Sequence, residues 1–298
     1  MQANKVESIS AIGFGQKAKS FIELMKLRLS FLVAFSSGFG YILASTNGID
    51  YMVLLMLSLG GILVSGASIA INQVIEVEYD AVMTRTKNRP LPTGRLTSNE
   101  AITFAVLCFL TGIGLLYITT NIQTVALSFI SMILYSFVYT PLKRVGPIAV
   151  FVGAIPGALP PLLGWVAATG TISYEALIIF GIQFIWQFPH FWAIAWVADE
   201  DYKKAGFKLL PSNGKKDIQT AINIMIYTLF LIPLGLLPMY FGITGVNSAV
   251  VATICGVLFL AQTFGLMRDY SKKSAMKIMY GSFLYLPIVQ IAFLLDKI

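Results

Sequence analysis

Apolar residues run along most of this chain in blocks of about twenty, and polar residues gather in the short gaps between the blocks. "YMVLLMLSLGGILVSGASIAI", residues 51–71, contains no charged residue. A helix that crosses a bilayer needs about 20 mostly apolar residues. Nine stretches meet that length: 22–45, 51–71, 99–119, 122–140, 147–168, 174–198, 219–242, 246–266 and 275–295. The pattern predicts an all-α polytopic membrane protein, with nine transmembrane helices in a single bundle. Residues 1–298 form one domain in this reading, led by a segment 1–20 on the cytoplasmic side. The fifth stretch carries Pro156, Pro160 and Pro161. A kink is expected there, with the freed carbonyls satisfied inside the bundle. Gly153 and Gly157 in the same stretch form a small-xxx-small pair that suits close helix packing.

The gaps differ sharply in charge. Lys5, Lys17, Lys19, Lys26 and Arg28 flank the start of the first span; Arg85, Lys87, Arg89 and Arg95 follow the second; Lys143 and Arg144 follow the fourth. Lys203, Lys204, Lys208, Lys215 and Lys216 follow the sixth, and Arg268, Lys272, Lys273 and Lys277 follow the eighth. Twenty of the 21 basic residues therefore lie on one side, and only Lys297 lies on the other. Lys and Arg gather in cytoplasmic loops, so the N-terminus is expected in the cytoplasm and the C-terminus outside the cytoplasmic (inner) membrane.

Composition agrees. The chain is 57% hydrophobic and 12% charged, with a mean hydropathy of +0.78. An average soluble domain is about 25% charged, so a water-soluble protein is excluded. The net charge of +7 follows from topology and calls for no nucleic acid. The opening "MQANKVESISAIGFGQKAKS" has neither the compact apolar stretch and cleavage site of a signal peptide nor the arginines of a transit peptide, so the first span is expected to be retained. Cys108 and Cys255 sit inside apolar runs as small apolar fillers.

Against this background "NQVIEVEYD", residues 72–80, stands out. Asn72, Glu76 and Asp80 are spaced i, i+4, i+8. At about 100° per residue they drift only about 40° per step and share one helix face, while Glu78 points elsewhere. One acid alone would read as a solvated helix end. Three aligned oxygen donors ending a charge-free helix suit Mg²⁺, which takes one or two carboxylates plus substrate phosphates. Arg85 and Arg89 follow at once, and guanidinium matches phosphate oxygens in a bidentate way, although alone they would count as topology charges. A second acidic stretch, "ADEDYKKAGFKLLP", follows the sixth span. There Asp199 and Asp201 are candidates for a second metal and Lys204 for a phosphate contact, a weaker signal by spacing. The two acidic stretches lie four spans apart on one face, a weak sign of a duplicated four-helix unit. "YSFVYTPLKR" places Tyr139, Lys143 and Arg144 at the same end of the fourth span. His190 is the single histidine, within "FIWQFPHFWAIAW"; it reads either as a hydrogen-bonded packing residue or as a substrate contact. Trp192 and its aromatic neighbours either pack or line a flat apolar pocket.

Together "NQVIEVEYDAVMTRTKNRPLPTGRL", "YTPLKR", "GAIPGALPPLLGW", "WQFPHFWAIAW" and "DYKKAGFKLLP" resemble the UbiA-type intramembrane prenyltransferases, and specifically their protohaem IX farnesyltransferase (haem O synthase) branch. The matching stretches occur in the family's order over residues 72–211. The resemblance implies transfer of a farnesyl group from farnesyl diphosphate to a vinyl group of protohaem IX, giving haem O and diphosphate. It implies Mg²⁺ held by Asn72, Glu76, Asp80 and Asp201, with Arg85, Arg89, Lys143 and Lys204 on the diphosphate. It also implies a haem-side pocket that takes in His190, Tyr139 and Trp192, and a neighbouring haem A synthase or oxidase assembly factor. Three positions depart from the family pattern: Glu76 stands where Asp is usual, Ala149 where an Asn often follows "YTPLKR", and Ala205 where a paired aspartate would complete the second motif. Two other readings stay open, a UbiA-type enzyme with a quinone-precursor or chlorophyll-type acceptor and a cation-coupled transporter.

Overall fold

The computed structural model describes residues 13–298. Lys5 and most of the expected leading segment lie outside the described residues. Among the described residues nine helices are long and apolar enough to cross a membrane, and the secondary structure is helical throughout apart from one isolated bridge, Thr244 with Lys297. The elements are α1 (Phe14–Leu24), α2 (Leu27–Ala44), α3 (Tyr51–Ile75), α4 (Val77–Val82), α5 (Ser98–Thr119), α6 (Ile122–Leu142), α7 (Ile148–Thr169), α8 (Tyr174–Val197), α9 (Asp199–Lys204), α10 (Ile218–Tyr240), α11 (Val246–Asp269) and α12 (Lys272–Leu295).

The spans follow the hydropathy pattern closely, with one correction at the start. The stretch 22–45 is not one helix. Lys26 adopts a left-handed conformation (φ 45°, ψ 58°) that breaks it into α1 and α2. The reason lies in the amphipathic character of α1. It buries Leu24 and Met25 against Ala67, Ala70, Leu91 and Leu96, and holds its charged side outward through ion pairs of Lys17 with Glu100 and Glu23 with Arg95.

The long helices form a ring largely in chain order. α2 packs on α3 and α7, α3 on α5, α7 on α8, α8 on α10 and α12, α10 on α11, and α11 on α12. α12 returns to α2, joined at mid-depth by Gln290 and Ser36 and at one end by Lys297, whose Nζ donates to the carbonyls of Ile42 and Ser45. α2 and α7 meet backbone to backbone. A Cβ on Gly164 would collide with the Ser37 carbonyl oxygen, and one on Gly40 with that of Pro161.

Gly153 and Gly157 allow the close helix packing expected of them, against side chains of the neighbouring helices. They leave room for side chains, the Tyr139 ring and the Gln187 amide respectively. α7 stays continuous through its three prolines. Pro161 has no N–H for the Gly157 carbonyl, and that carbonyl instead accepts from Gln183 Nε2 and Gln187 Nε2, both at 2.9 Å. Two spans, α3 and α8, are each followed directly by a short acidic helix, α4 and α9, at the same end of the bundle as the basic loops.

Candidate active site

α3 ends at Ile75 and the chain bends at Glu76 (φ −103°, ψ 10°) before α4 begins. The hydrogen-bond ladder nevertheless continues, from Glu76 N to Asn72 O at 3.0 Å and from Asp80 N to Glu76 O at 2.8 Å. Asn72, Glu76 and Asp80 therefore keep a common face, all three buried, while Glu78 is exposed. Glu76 Oε2 accepts from Asn72 Nδ2 at 3.0 Å and from Lys143 Nζ at 3.0 Å. Asp80 is fully buried and pairs through Oδ2 with Arg89 Nη1 at 2.5 Å.

Lys143 arrives from α6 by way of a local widening. Residues Leu134–Tyr139 form a π turn, which holds more residues than an α turn and shifts the register of the residues beyond it. Thr140 then sits beside Asn72, accepting from its Nδ2 at 2.9 Å, and Lys143 reaches Glu76 while resting over the Tyr139 ring at 4.7 Å. Arg144 lies over Tyr79 instead, 4.4 Å from its centroid. Two buried acids of one segment thus meet two cations, Arg89 from the loop that follows and Lys143 from the distant end of α6.

Asp201 plays a distinct part. It accepts from the backbone N–H groups of Thr84 and Arg85 at 3.1 and 3.0 Å and pairs with Lys204 at 3.1 Å. Partial burial opposes ionisation, but these donors outweigh it and hold the Asp201 carboxyl below the usual carboxylate range. Lys204 also donates to Thr84 Oγ1 at 2.8 Å. α9 therefore clamps the start of the loop that carries Arg85 and Arg89. Arg85 itself is exposed, with its guanidinium 6.0 Å from the Tyr202 ring. Asp199 pairs with Lys203 and Lys216 and stays apart from this arrangement.

One residue escaped the sequence reading. Lys26, at the left-handed joint between α1 and α2, is half-buried beside the same cations. Burial first, then repulsion from Arg89 and Lys143, draws its ammonium down to about 7 against the pull of Asp80. The sequence counted it as a topology charge. A basic residue at the very start of a span, where the chain enters the bundle, was the available signal. A cluster whose cations repel one another to this extent is suited to a polyanion.

Among the described residues no three His, Cys, Asp or Glu side chains converge as a metal centre. The donor set is instead two carboxylates and an amide, and Asp80 Oδ1 is buried without a hydrogen-bond partner. A buried, unpartnered carboxylate oxygen is costly unless something meets it. This set matches the few protein oxygens that Mg²⁺ takes when phosphates and water complete its shell.

The aromatic candidates are divided. Tyr139 lies under Lys143, at the acid cluster. Trp192 faces α10, 5.1 Å from the Tyr227 ring, whereas His190 faces α12, its Nδ1 2.9 Å from Ser282 Oγ. The structure does not bring His190 and Trp192 together.

Comparison with known proteins gives this arrangement its context. A model of the UbiA prenyltransferase family matches residues 32–286. The chain belongs to the UbiA prenyltransferase family. It is a multi-pass membrane prenyltransferase. Among similar curated proteins are the protoheme IX farnesyltransferases of Cytophaga hutchinsonii, 52% identical over 94% of this chain and 98% of that one, and of Flavobacterium psychrophilum, 46% identical over 93% and 94%. The mitochondrial protoheme IX farnesyltransferase of Arabidopsis thaliana is 35% identical over 99% of this chain and 69% of its own. UbiA-fold structures agree: a digeranylgeranylglyceryl phosphate synthase superposes with a TM-score of 0.78 at 22% identity, covering 94% of this chain and 98% of that one. A UbiA homologue from Archaeoglobus fulgidus bound to GPP and Mg²⁺ gives 0.63 at 16% identity, over 92% and 99%.

Proposed function

We propose that this UbiA-family enzyme transfers the farnesyl group of farnesyl diphosphate to a vinyl group of protohaem IX, releasing diphosphate and forming haem O. The acceptor is supported by the curated relatives, which are protoheme IX farnesyltransferases over nearly the whole chain. The observation that carries the chemistry is the pairing of two buried acids with two cations, Asp80 with Arg89 and Glu76 with Lys143, at one end of an apolar bundle.

Asn72, Glu76 and Asp80 would hold Mg²⁺, and the ion when bound supplies positive charge to the departing diphosphate. Arg89, Lys143 and Lys26 surround the same place and stabilise the negative charge that grows on the leaving group, with Arg85 and Lys204 at the rim. Asp201 keeps the 84–85 backbone, and with it Arg85 and Arg89, in register. The carbon–oxygen bond to diphosphate breaks with both electrons on oxygen, leaving an allylic cation. The vinyl electrons of the acceptor form the new carbon–carbon bond, and water, losing a proton, supplies the hydroxyl of the product. Apolar helix faces below the acids keep bulk water from the first cation. The basic loops, and so the site, face the cytoplasm in this reading.

The test is incubation of the purified protein with protohaem IX, farnesyl diphosphate and Mg²⁺, with mass measurement of the haem product. A mass gain of one farnesyl plus one hydroxyl is expected. An unchanged haem alongside alkylation of 4-hydroxybenzoate would assign a different acceptor.

A further inference from the structure

Polar side chains cross the interior of the bundle at mid-depth, away from the acid cluster. Gln290 in α12 donates both hydrogens of its Nε2 there, to Ser36 Oγ in α2 at 3.2 Å and to Gln183 Oε1 in α8 at 2.9 Å. Gln183 Nε2 donates in turn to the Gly157 carbonyl in α7 at 2.9 Å. All three side chains are buried. The four helices they join pack as a group, α2 on α7, α7 on α8, α8 on α12 and α12 on α2. The chain of hydrogen bonds is therefore a bar across the space these four helices enclose, and its link between Ser36 and Gln290 also closes the seam between α2 and α12.

The depth of this bar matches the length of one prenyl chain. Ser36 lies ten residues beyond Lys26, about 15 Å along α2 at the rise of about 1.5 Å per residue. Lys26 stands beside Arg89 and Lys143, where the diphosphate would be held. A farnesyl group has about twelve carbons in line, and an extended covalent chain covers about 1.2 Å per bond, so it reaches about 14 Å. A fourth isoprenyl unit adds about 5 Å and would have to pass the bar. Beyond the bar the interior is filled. Phe39, Ile179, Ile182 and Phe293 are buried on the far side of Gln183 and Gln290, and the space left among them is about 10 Å³, enough for one water and not for an isoprenyl unit. A chain forced past would part Gln290 from Ser36 and Gln183 with no water to replace them. A site whose buried polar groups are left unpaired discriminates more strongly than one that is merely apolar. Hydrogen bonds that only tie membrane helices together have no bearing on chain length.

Resting on the donor reading above, we propose that Ser36, Gln183 and Gln290 set the length of the prenyl chain. Farnesyl diphosphate fits between the acid cluster and the bar, and geranylgeranyl diphosphate does not. The three residues determine specificity by meeting the last isoprenyl unit. They take no part in making or breaking bonds.

The full-length protein in phosphatidylcholine–phosphatidylglycerol nanodiscs is given protohaem IX and Mg²⁺ with either farnesyl or geranylgeranyl diphosphate, and kcat/KM for each donor is read from the mass-resolved haem product. Wild type is expected to prefer farnesyl by at least about 100-fold. Gln290→Ala opens the bar while Gln183 keeps its bond to the Gly157 carbonyl. It is expected to hold its farnesyl rate within about threefold and to lower the preference by about tenfold or more. Gln290→Ser, a smaller polar side chain, covers the case in which the alanine variant does not fold and is expected to shift the preference the same way. Gln262→Ala, in α11 and away from the bar, should keep the wild-type preference, which separates opening the bar from a general loosening of the bundle. Independently of any variant, farnesyl diphosphate with a diazirine on its last isoprenyl unit should label wild type in the segments that hold Ser36, Gln183 or Gln290. Equal use of the two donors by wild type, an unchanged preference in an active Gln290 variant, or labelling confined to other segments overturns the proposal; continued farnesyl transfer by wild type then leaves the donor reading intact. If wild type transfers no prenyl group to haem, the donor reading fails and takes this proposal with it.

Discussion

Asp80→Asn separates two roles that the same contact supports. Asp80 is fully buried, with one oxygen 2.5 Å from Arg89 and the other without a partner. If it served only to neutralise Arg89, its loss would free a guanidinium for phosphate. Charge-assisted hydrogen bonds carry about 1.5–3 kcal/mol, so farnesyl diphosphate would then bind roughly 10- to 100-fold more tightly in any buffer. If Asp80 also holds Mg²⁺ against the diphosphate, the outcome depends on the metal. Affinity with EDTA present should rise by about tenfold. Affinity in Mg²⁺ should fall by about 100-fold, since even groups one step removed from a metal change affinity by 10- to 100-fold. The wild-type preference for Mg²⁺ over EDTA should therefore collapse towards unity. The substitution also leaves Arg89 without its partner. Removing one member of a buried pair costs about 3–5 kcal/mol, and the partial exposure of Arg89 brings this towards about 2 kcal/mol. The assay is calorimetric titration with farnesyl diphosphate in both buffers, beside thermal unfolding of the same samples. Asp80→Asn binding at least as tightly as wild type in Mg²⁺ would refute the metal role and leave only charge neutralisation.

Other consequences arise from the same contacts. Lys26 is held near 7 in the ligand-free protein, below the unfolded value of 10.5, so diphosphate should return its proton. Calorimetry at pH 8 in buffers of different ionisation heat should show uptake of close to one proton, absent in Lys26→Met. By the same linkage the unfolded chain holds this proton up to 10.5 and the native chain does not, so ligand-free stability should rise as pH goes from about 7 towards 10.5. Asp201→Ala releases the Thr84 and Arg85 amides; KM for farnesyl diphosphate should rise about tenfold, and tryptic cleavage after Arg85 or Lys87 should accelerate. Gly164→Ala forces α2 and α7 apart and should cost about 3 kcal/mol or more, whereas Gly114→Ala in α5, with open space around it, should stay within about 0.5 kcal/mol; thermal aggregation midpoints distinguish the two.

Sequence alone determined the class, the spans and the local face of the acids. Crossing a bilayer forces every backbone polar group into a helix, so hydropathy and helix length suffice to place nine spans. Helical spacing is equally local, and it aligned Asn72, Glu76 and Asp80 and set Glu78 aside although the helix bends at Glu76. The tertiary structure decided the contacts between segments far apart in the chain. Glu76 meets Lys143, 67 residues on, and Asp201 meets the amides of Thr84 and Arg85, more than 110 residues back. Nothing periodic encodes such pairings, because they depend on how the helices close into a ring. The same holds for Lys26, a charge like its neighbours until a left-handed joint leaves it half-buried beside Arg89, and for His190, whose Nδ1 meets Ser282 on the last helix.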